Sequence, residues 1–408
     1  MPASPSPSTP PPGARLPMVR LSTFYGGYFL VVGVLSPFWP LYLEARGVGP
    51  SEIGLLFALT FWLRALAAPP VGWYADKRGD SRPFQVGLGL LALAAAVAFF
   101  WTEGFLPLLA ANTVFFLAYA SLLPLVETVA LRSVGPEKGY GRVRVWGSIS
   151  FMAAAAAGGY VLEALGTLEA NTIVWLVVIT TIVMLLGILW LPKAPARVDA
   201  PPARAPVMAL MRNRVFLLFL AATTLAHASH GVFYGFSTLH WTAAGYDKLT
   251  VGLLWAEGVL VEVLLFAFGA KLVERLGPVW LIVLGGVAAV VRWIVLGLTT
   301  ELVPVALVQL LHAGSFAAVH LGAMLFITRA VSETHANSAQ SAFSGITYGL
   351  GLGFGLLVAG WLYEGMGGGG YYVQAAMAAG AVLLTLVLGR LWQGGVVTGN
   401  AGTPAKAG

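Results

Sequence analysis

Apolar runs of roughly 20 residues recur along this chain, parted by short polar breaks. A run of that length crosses the ~30 Å hydrocarbon core of a bilayer as one α-helix. The pattern predicts twelve such helices, at 20–43, 52–75, 83–102, 105–131, 144–165, 171–191, 214–240, 250–271, 278–298, 302–328, 339–363 and 371–392. The longest polar break, PKAPARVDAPPARAPVMALMRN at 192–213, is rich in Pro and Arg and separates six runs from six. The expected organisation is a disordered tail over 1–17, a six-helix bundle over 18–191, a linker over 192–213, a second bundle over 214–393 and a disordered tail over 394–408. The first tail, MPASPSPSTPPPGARLP, lacks the apolar stretch and small-residue cleavage site of a secretory signal, so the first run is expected to stay as helix 1.

Composition agrees with the pattern. Hydrophobic residues make up 58% of the 408 positions and charged residues only 10%, against about 25% charged in a soluble domain. The 50 glycines and 13 tryptophans suit close helix packing and interfacial anchoring. With no cysteine, disulfides and thiolate metal sites are excluded. The net charge of +6 does not indicate nucleic-acid binding, because the basic residues lie between apolar runs rather than in a patch. Their placement does indicate orientation. With the N-terminus placed in the cytoplasm, 19 of the 23 Lys and Arg fall on the inside, only Arg46 and Lys248 outside, and Arg64 and Arg292 within helices. One helix too many or too few would invert every later loop and destroy that bias, so both termini are expected to be cytoplasmic.

The two halves also echo each other. Gly72-Trp-Tyr-Ala-Asp76-Lys77-Arg78-Gly79 follows helix 2, and Ala270-Lys-Leu-Val-Glu274-Arg275-Leu-Gly277 follows helix 8, 198 residues later. Acid, base and glycine recur in register, as expected of parallel six-helix repeats. Gly72, Asp76, Lys77, Gly79 and Arg82 together resemble the signature loop between helices 2 and 3 of the major facilitator superfamily. There an acid and bases latch cytoplasmic helix ends, and the plainer reading is a solvated turn. Three longer stretches, Tyr140–Ser148 (YGRVRVWGS), Tyr234–Tyr246 (YGFSTLHWTAAGY) with the following LLWAEGVLVEVLLF, and Val290–Met324, resemble the phenylpropionate permease branch of that superfamily. The resemblance implies an all-α integral membrane protein of twelve helices in two pseudo-symmetric six-helix bundles. It implies a secondary transporter in a bacterial inner membrane, for which a monomer suffices.

A charge in mid-membrane costs about 2.5–3.5 kcal/mol even on insertion scales, so each one calls for a reason. Arg64 falls in helix 2, Glu127 in helix 4, Arg144 at the start of helix 5, Glu257 and Glu262 in helix 8, and Arg292 in helix 9; His227, His230 and His240 fall in helix 7, His312 and His320 in helix 10. A more distant similarity to the lactose permease family implies roles for four of these. Glu127 and Arg144 match its substrate acid and arginine, and Arg292 and His312 its proton-handling arginine and histidine. Ser315 stands where that family carries a proton-bearing Glu, so proton coupling would pass to Glu262, Glu257 or His312. Glu262 is the preferred carrier, because a carboxylate whose contact with Arg292 alternates can load and release a proton. A fixed Glu262–Arg292 ion pair is the structural alternative. Glu257 and Glu262 are five apart, roughly 140° around a helix, and only one need face a cavity. Arg144 suits an anionic substrate, since guanidinium pairs with carboxylate as a fork; Arg64 is either a second substrate residue or a partner of Glu127.

Aromatic residues add a possible pocket wall: Phe233, Tyr234 and Phe236 in helix 7 above all. Phe24, Trp39, Trp62, Trp241 and Trp255 are expected mostly to pack between helices or face lipid. His227 and His230, one turn apart, lack an acid for a metal site, and no metal or cofactor is expected. There is no P-loop lysine, no His-Glu-x-x-His and no nucleophile elbow, so no enzyme is predicted. The sequence thus points to proton symport of a small organic substrate by alternating access, with an aromatic carboxylic acid such as 3-phenylpropionate as the best fit. Uptake of a sugar or nucleoside, and efflux of lipophilic compounds, are the alternatives. A membrane receptor or scaffold would leave the intramembrane charges without a purpose.

Overall fold

The computed structural model describes residues 15–78, 81–134, 139–166, 169–193 and 207–397, and among them every regular element is helical. Eleven helical stretches are long and apolar enough to cross a membrane. The last, Glu333–Leu391, has 59 residues and is turned back on itself by the tight turn Gly367–Gly369, where Gly367 takes φ 52°. It therefore holds two passes, which brings the total to twelve. We number them α1 (Arg15–Ala45), α2 (Pro50–Arg78), α3 (Arg82–Ala98), α4 (Phe105–Val134), α5 (Tyr140–Leu165) and α6 (Glu169–Leu189), then α7 (Arg214–Ala243), α8 (Lys248–Phe268), α9 (Ala270–Leu298) and α10 (Leu302–Ala330), and finally α11 (333–366) and α12 (Gly370–Leu391).

Each predicted run overlaps its helix to within a few residues, and two of the differences are informative. Helix α1 begins at Arg15, inside the stretch expected to be tail, and residues 394–397 are docked rather than free. Asn213 explains the second difference: its Oδ1 caps α7 by accepting from the amides of Val215 and Phe216, while its Nδ2 donates to the carbonyl of Val397. Helix α9 contains a break at Gly277-Pro278. Gly277 has φ 70° and ψ 175°, a conformation closed to side-chain-bearing residues at low cost. The break coincides with the start of the run expected at 278–298.

The first six helices form one half. In it α1 packs on α5 and α6, α2 on α4, and α3 on α4 and α6. In the second half α9 packs on α10 and α12, and α7 on α11 and α12. The halves meet through α5 with α8, α2 with α11, and α1 with α7. Small residues permit this approach. A Cβ on Gly54 of α2 would lie 2.8 Å from the Leu356 carbonyl oxygen of α11, and one on Gly360 would lie 2.7 Å from that of Pro50. On the other seam, a Cβ on Gly159 of α5 would strike the Lys248 carbonyl, and one on Gly252 of α8 would strike that of Ala155. All four glycines lie towards the membrane face opposite the chain termini. That face is therefore closed by backbone-to-backbone packing.

Candidate functional site

Three helices of the second half lose their regular geometry at the same level. Helix α7 breaks at Ser229-His230, between Arg214–Ala228 and Gly231–Ala243. Helix α10 widens into a π-helical turn at Ala313–Ala318, and α11 does so at Ser344–Gly351. Such irregularities mark functional sites often. Here they surround the intramembrane polar residues.

Arg292 of α9 is fully buried. Its Nη1 donates to His312 Nδ1 at 2.8 Å and to Ser315 Oγ at 3.1 Å, and its Nη2 donates to Gln309 Oε1 at 2.7 Å. The guanidinium carbon lies 4.3 Å from the ring centroid of Phe233 and 4.8 Å from that of Trp293. Gln309 is itself oriented by donating to the Leu254 carbonyl of α8 at 3.1 Å. On the far edge of the imidazole, His312 Nε2 meets Glu262 Oε1 at 2.7 Å. The partners settle the tautomer: a guanidinium only donates, so His312 Nδ1 must accept and Nε2 must carry the hydrogen that Glu262 receives. Glu262 and Arg292 are thus joined through His312. The direct Glu262–Arg292 ion pair considered from the sequence is not formed.

The same bookkeeping orders a second chain nearby. His320 Nδ1 lies 2.8 Å from the Tyr348 hydroxyl, which lies 2.9 Å from His227 Nε2, and His227 Nδ1 lies 2.8 Å from the Thr223 carbonyl. A carbonyl only accepts, so His227 holds its hydrogen on Nδ1, takes the Tyr348 hydrogen on Nε2, and leaves Tyr348 to accept from His320. His230 donates Nδ1–H to the Ala226 carbonyl at 3.1 Å, and its Nε2 faces Ser315 Oγ at 3.4 Å.

The first half contributes a looser group. Arg144 lies 3.8 Å from Glu127 Oε1, with the two side chains 49% and 33% exposed. Tyr140, one turn before Arg144, donates to that same oxygen at 2.9 Å. Phe29 lies beneath the Arg144 guanidinium at 5.7 Å, and Tyr25 sits edge-on to Tyr140. An exposed pair at this distance is worth about 0–1 kcal/mol, so Arg144 can change partners at little cost. Both Glu262 and His320 lie within electrostatic reach of Arg144. Arg144 and Glu262 lie on α5 and α8, which pack against each other between the halves.

The remaining expected residues fall elsewhere. Glu257 is half-buried and, among the described residues, makes no hydrogen bond or ion pair. Arg64 is exposed and acts at a distance on the stacked rings of Tyr28 and Tyr119, while Glu127 takes Arg144 in its place. Phe233 is sealed behind Arg292, and Phe236 is buried against Tyr363 of α11; only Tyr234 of that stretch is partly open. Trp39 and Trp241 are buried rather than lipid-facing, and Trp39 donates to Asn112 Oδ1 at 3.1 Å. In the expected latch, Gly72, Asp76 and Lys77 belong to α2 but their side chains lie outside the described residues, as does Gly79. Arg82 reaches the Leu189 carbonyl of α6. Glu274 and Arg275 are exposed, and Gly277 makes the break within α9.

Sequence reasoning overlooked Gln309, Tyr140 and Tyr348, and treated Ser315 only as a missing acid. The spacing Gln309–His312–Ser315, three polar residues at intervals of three in an apolar run, was the available signal for the first. Tyr348 lies in the glycine-rich stretch 345–360, which reads as packing alone.

A family model described as "MFS_1 like family" matches residues 18–373. The "Probable 3-phenylpropionic acid transporter" of Escherichia coli (strain K12) is 32% identical over 375 residues, covering 89% of this chain and 96% of that protein. The "Maltose permease" of Geobacillus stearothermophilus is 28% identical over 384 residues, covering 92% and 95% respectively. The crystal structure of the nucleoside transporter NupG superposes with a TM-score of 0.80 at 17% identity, over 92% of this chain and 99% of that one; at that identity the likeness concerns the fold.

Proposed function

Because the chain belongs to the MFS_1 like family of major facilitator transporters, we propose that it couples protons to the uptake of a small aromatic carboxylic acid such as 3-phenylpropionate. Membership makes it a multi-pass secondary transporter of a small molecule, not an enzyme. The finer reading rests on one observation above all: Glu262 is connected through His312 to a buried cation that has no carboxylate of its own.

The reasoning runs from charge. Ionised Glu262 accepts the His312 Nε2–H and balances the charge of Arg292 through the imidazole. Protonated Glu262 cannot balance it, and Arg292 then favours any other anion that enters the cavity. Proton loading and anion binding are thereby linked. His312 is a poor carrier in this arrangement, since a proton on Nδ1 would confront the Arg292 N–H. Arg144 is the anion's first contact, and the half-buried Phe29 and Tyr140 beside it offer rings to an aryl group. Alternating access would open the glycine-sealed face and close the other. The Lys and Arg bias supports cytoplasmic termini in a bacterial inner membrane. One chain holds both groups of site residues, so a monomer suffices.

The test is uptake of labelled 3-phenylpropionate into proteoliposomes with and without an inward proton gradient. Accumulation only under the gradient supports the reading. Gradient-driven accumulation of uridine or maltose, with none of 3-phenylpropionate, would replace the substrate class.

A further inference from the structure

We infer that His320 is a second proton-accepting site, one that pairs with the substrate carboxylate across the cavity from Arg144; this rests on the aromatic-acid reading above. Glu262, His312 and Arg292 account for one proton. The His320–Tyr348–His227 chain takes no part in that step, yet it spends three buried or half-buried polar side chains on fixing one imidazole.

What it fixes is a tautomer. Because Tyr348 gives its own hydrogen to His227, its oxygen can only accept from His320, and the His320 hydrogen is held on Nδ1. Nε2 is left with a lone pair. Among the described residues Nε2 has no hydrogen-bond partner, and it is not one of the sealed, unpartnered polar atoms. The charged and titratable groups within hydrogen-bonding or electrostatic reach of this ring are Tyr348 of α11, His227 of α7, Glu262 of α8 and Arg144 of α5. Phe316 joins this chain to the site already described, its ring 5.7 Å from His312 and 6.4 Å from Tyr348, and the half-buried His320 lies within electrostatic reach of Glu262 and Arg144 of that site.

A lone pair repels a carboxylate. His320 can hold the anion only after a proton from the aqueous cavity binds Nε2, giving an imidazolium that donates Nε2–H to the carboxylate while Nδ1–H remains on Tyr348. The proton then travels with the substrate. One substrate anion with one proton on Glu262 and one on His320 moves a net charge of +1, where a single proton would move none.

The experiment is calorimetric titration of the purified full-length protein with 3-phenylpropionate at pH 8, in buffers of different ionisation enthalpy, which counts protons taken up per substrate bound. An ordinary imidazole, with a pKa of about 6.5, is neutral there. The wild-type Kd is expected to weaken about tenfold per pH unit for each linked proton. His320→Gln is expected to take up one proton fewer and to flatten the pH dependence by that factor. His320→Arg, whose charge is permanent, is expected to keep tight binding at pH 8 while also taking up one proton fewer. A wild-type proton count in both variants overturns the assignment of His320 and leaves the aromatic-acid reading standing. Failure of wild-type protein to bind 3-phenylpropionate or benzoate overturns both.

Discussion

His312 stands between Arg292 and Glu262, accepting from one at 2.8 Å and donating to the other at 2.7 Å. A charge change on Glu262 is therefore felt at Arg292 through one imidazole whose two nitrogens have opposite duties. Both flanking groups are set by their neighbours: Arg292 by Gln309 and Ser315, and Glu262 by its place on α8 facing α10.

Glu262→Gln keeps an acceptor for His312 but cannot gain or lose a proton. Proton-driven accumulation of substrate should fall to the level seen without a gradient, while exchange of labelled for unlabelled substrate persists. Loss of both activities, or of neither, would remove Glu262 as the carrier; proteoliposome uptake and counterflow measured side by side decide it.

Gln309→Ala leaves Arg292 Nη2 buried without its 2.7 Å acceptor. An unmet hydrogen bond on a buried polar group costs about 1–3 kcal/mol, more if charged. Thermal unfolding of the purified protein in detergent should shift downward by several degrees. Glu257→Gln, on the same helix as Glu262 but unengaged, should shift it by less than a degree.

Gly252→Ala places a methyl group against the Ala155 carbonyl of the other half. Overpacking of this kind costs about 1–3 kcal/mol, and the strain disappears when the halves part at that face. The population open there should rise roughly 5–150-fold. The chain has no cysteine of its own, so a single Ala58→Cys beneath the Gly54–Gly360 contact reports the opening through its rate of labelling by an impermeant maleimide. An unchanged rate would mean that these glycines do not close the passage.

Asp247 begins α8 and accepts from the Thr250 amide at 2.6 Å and from the Thr250 hydroxyl at 2.9 Å. The amide hydrogen bond, foremost, holds its carboxyl below the usual carboxylate range. A lowered folded-state pKa gives stability that is complete above about pH 4 and fades as pH falls through the folded value. Between pH 5 and 8 this cap should contribute no pH dependence. Asp247→Ala should cost about 0.5–2 kcal/mol and Asp247→Asn much less, read from thermal unfolding at pH 7.

How much of this was legible in the residues differs from group to group. Helices α1 to α12 follow from run length because a bilayer leaves the backbone no alternative to internal hydrogen bonding. The Gly277-Pro278 break was legible too, since φ and donor restrictions are properties of those residues. Arg292, Glu262 and His312 stood out as charges and rings in apolar runs, where their cost demands a partner. Their order could not be read. A helical period does not say that His312 would come between the other two, nor that Glu127 would take Arg144 rather than Arg64, because that depends on how helices from distant parts of the chain rotate against each other. Ser315 and Tyr348 were hidden for a related reason: neither is costly in a membrane, and each acquires its role from a π-helical turn and from neighbours on other helices. Composition and periodicity determined that this chain crosses a membrane with twelve helices, and the resemblance of its motifs to a known family implied a transporter. Tertiary packing alone decided which of its polar side chains meet, because contact between them is set by how helices remote in sequence rotate against each other.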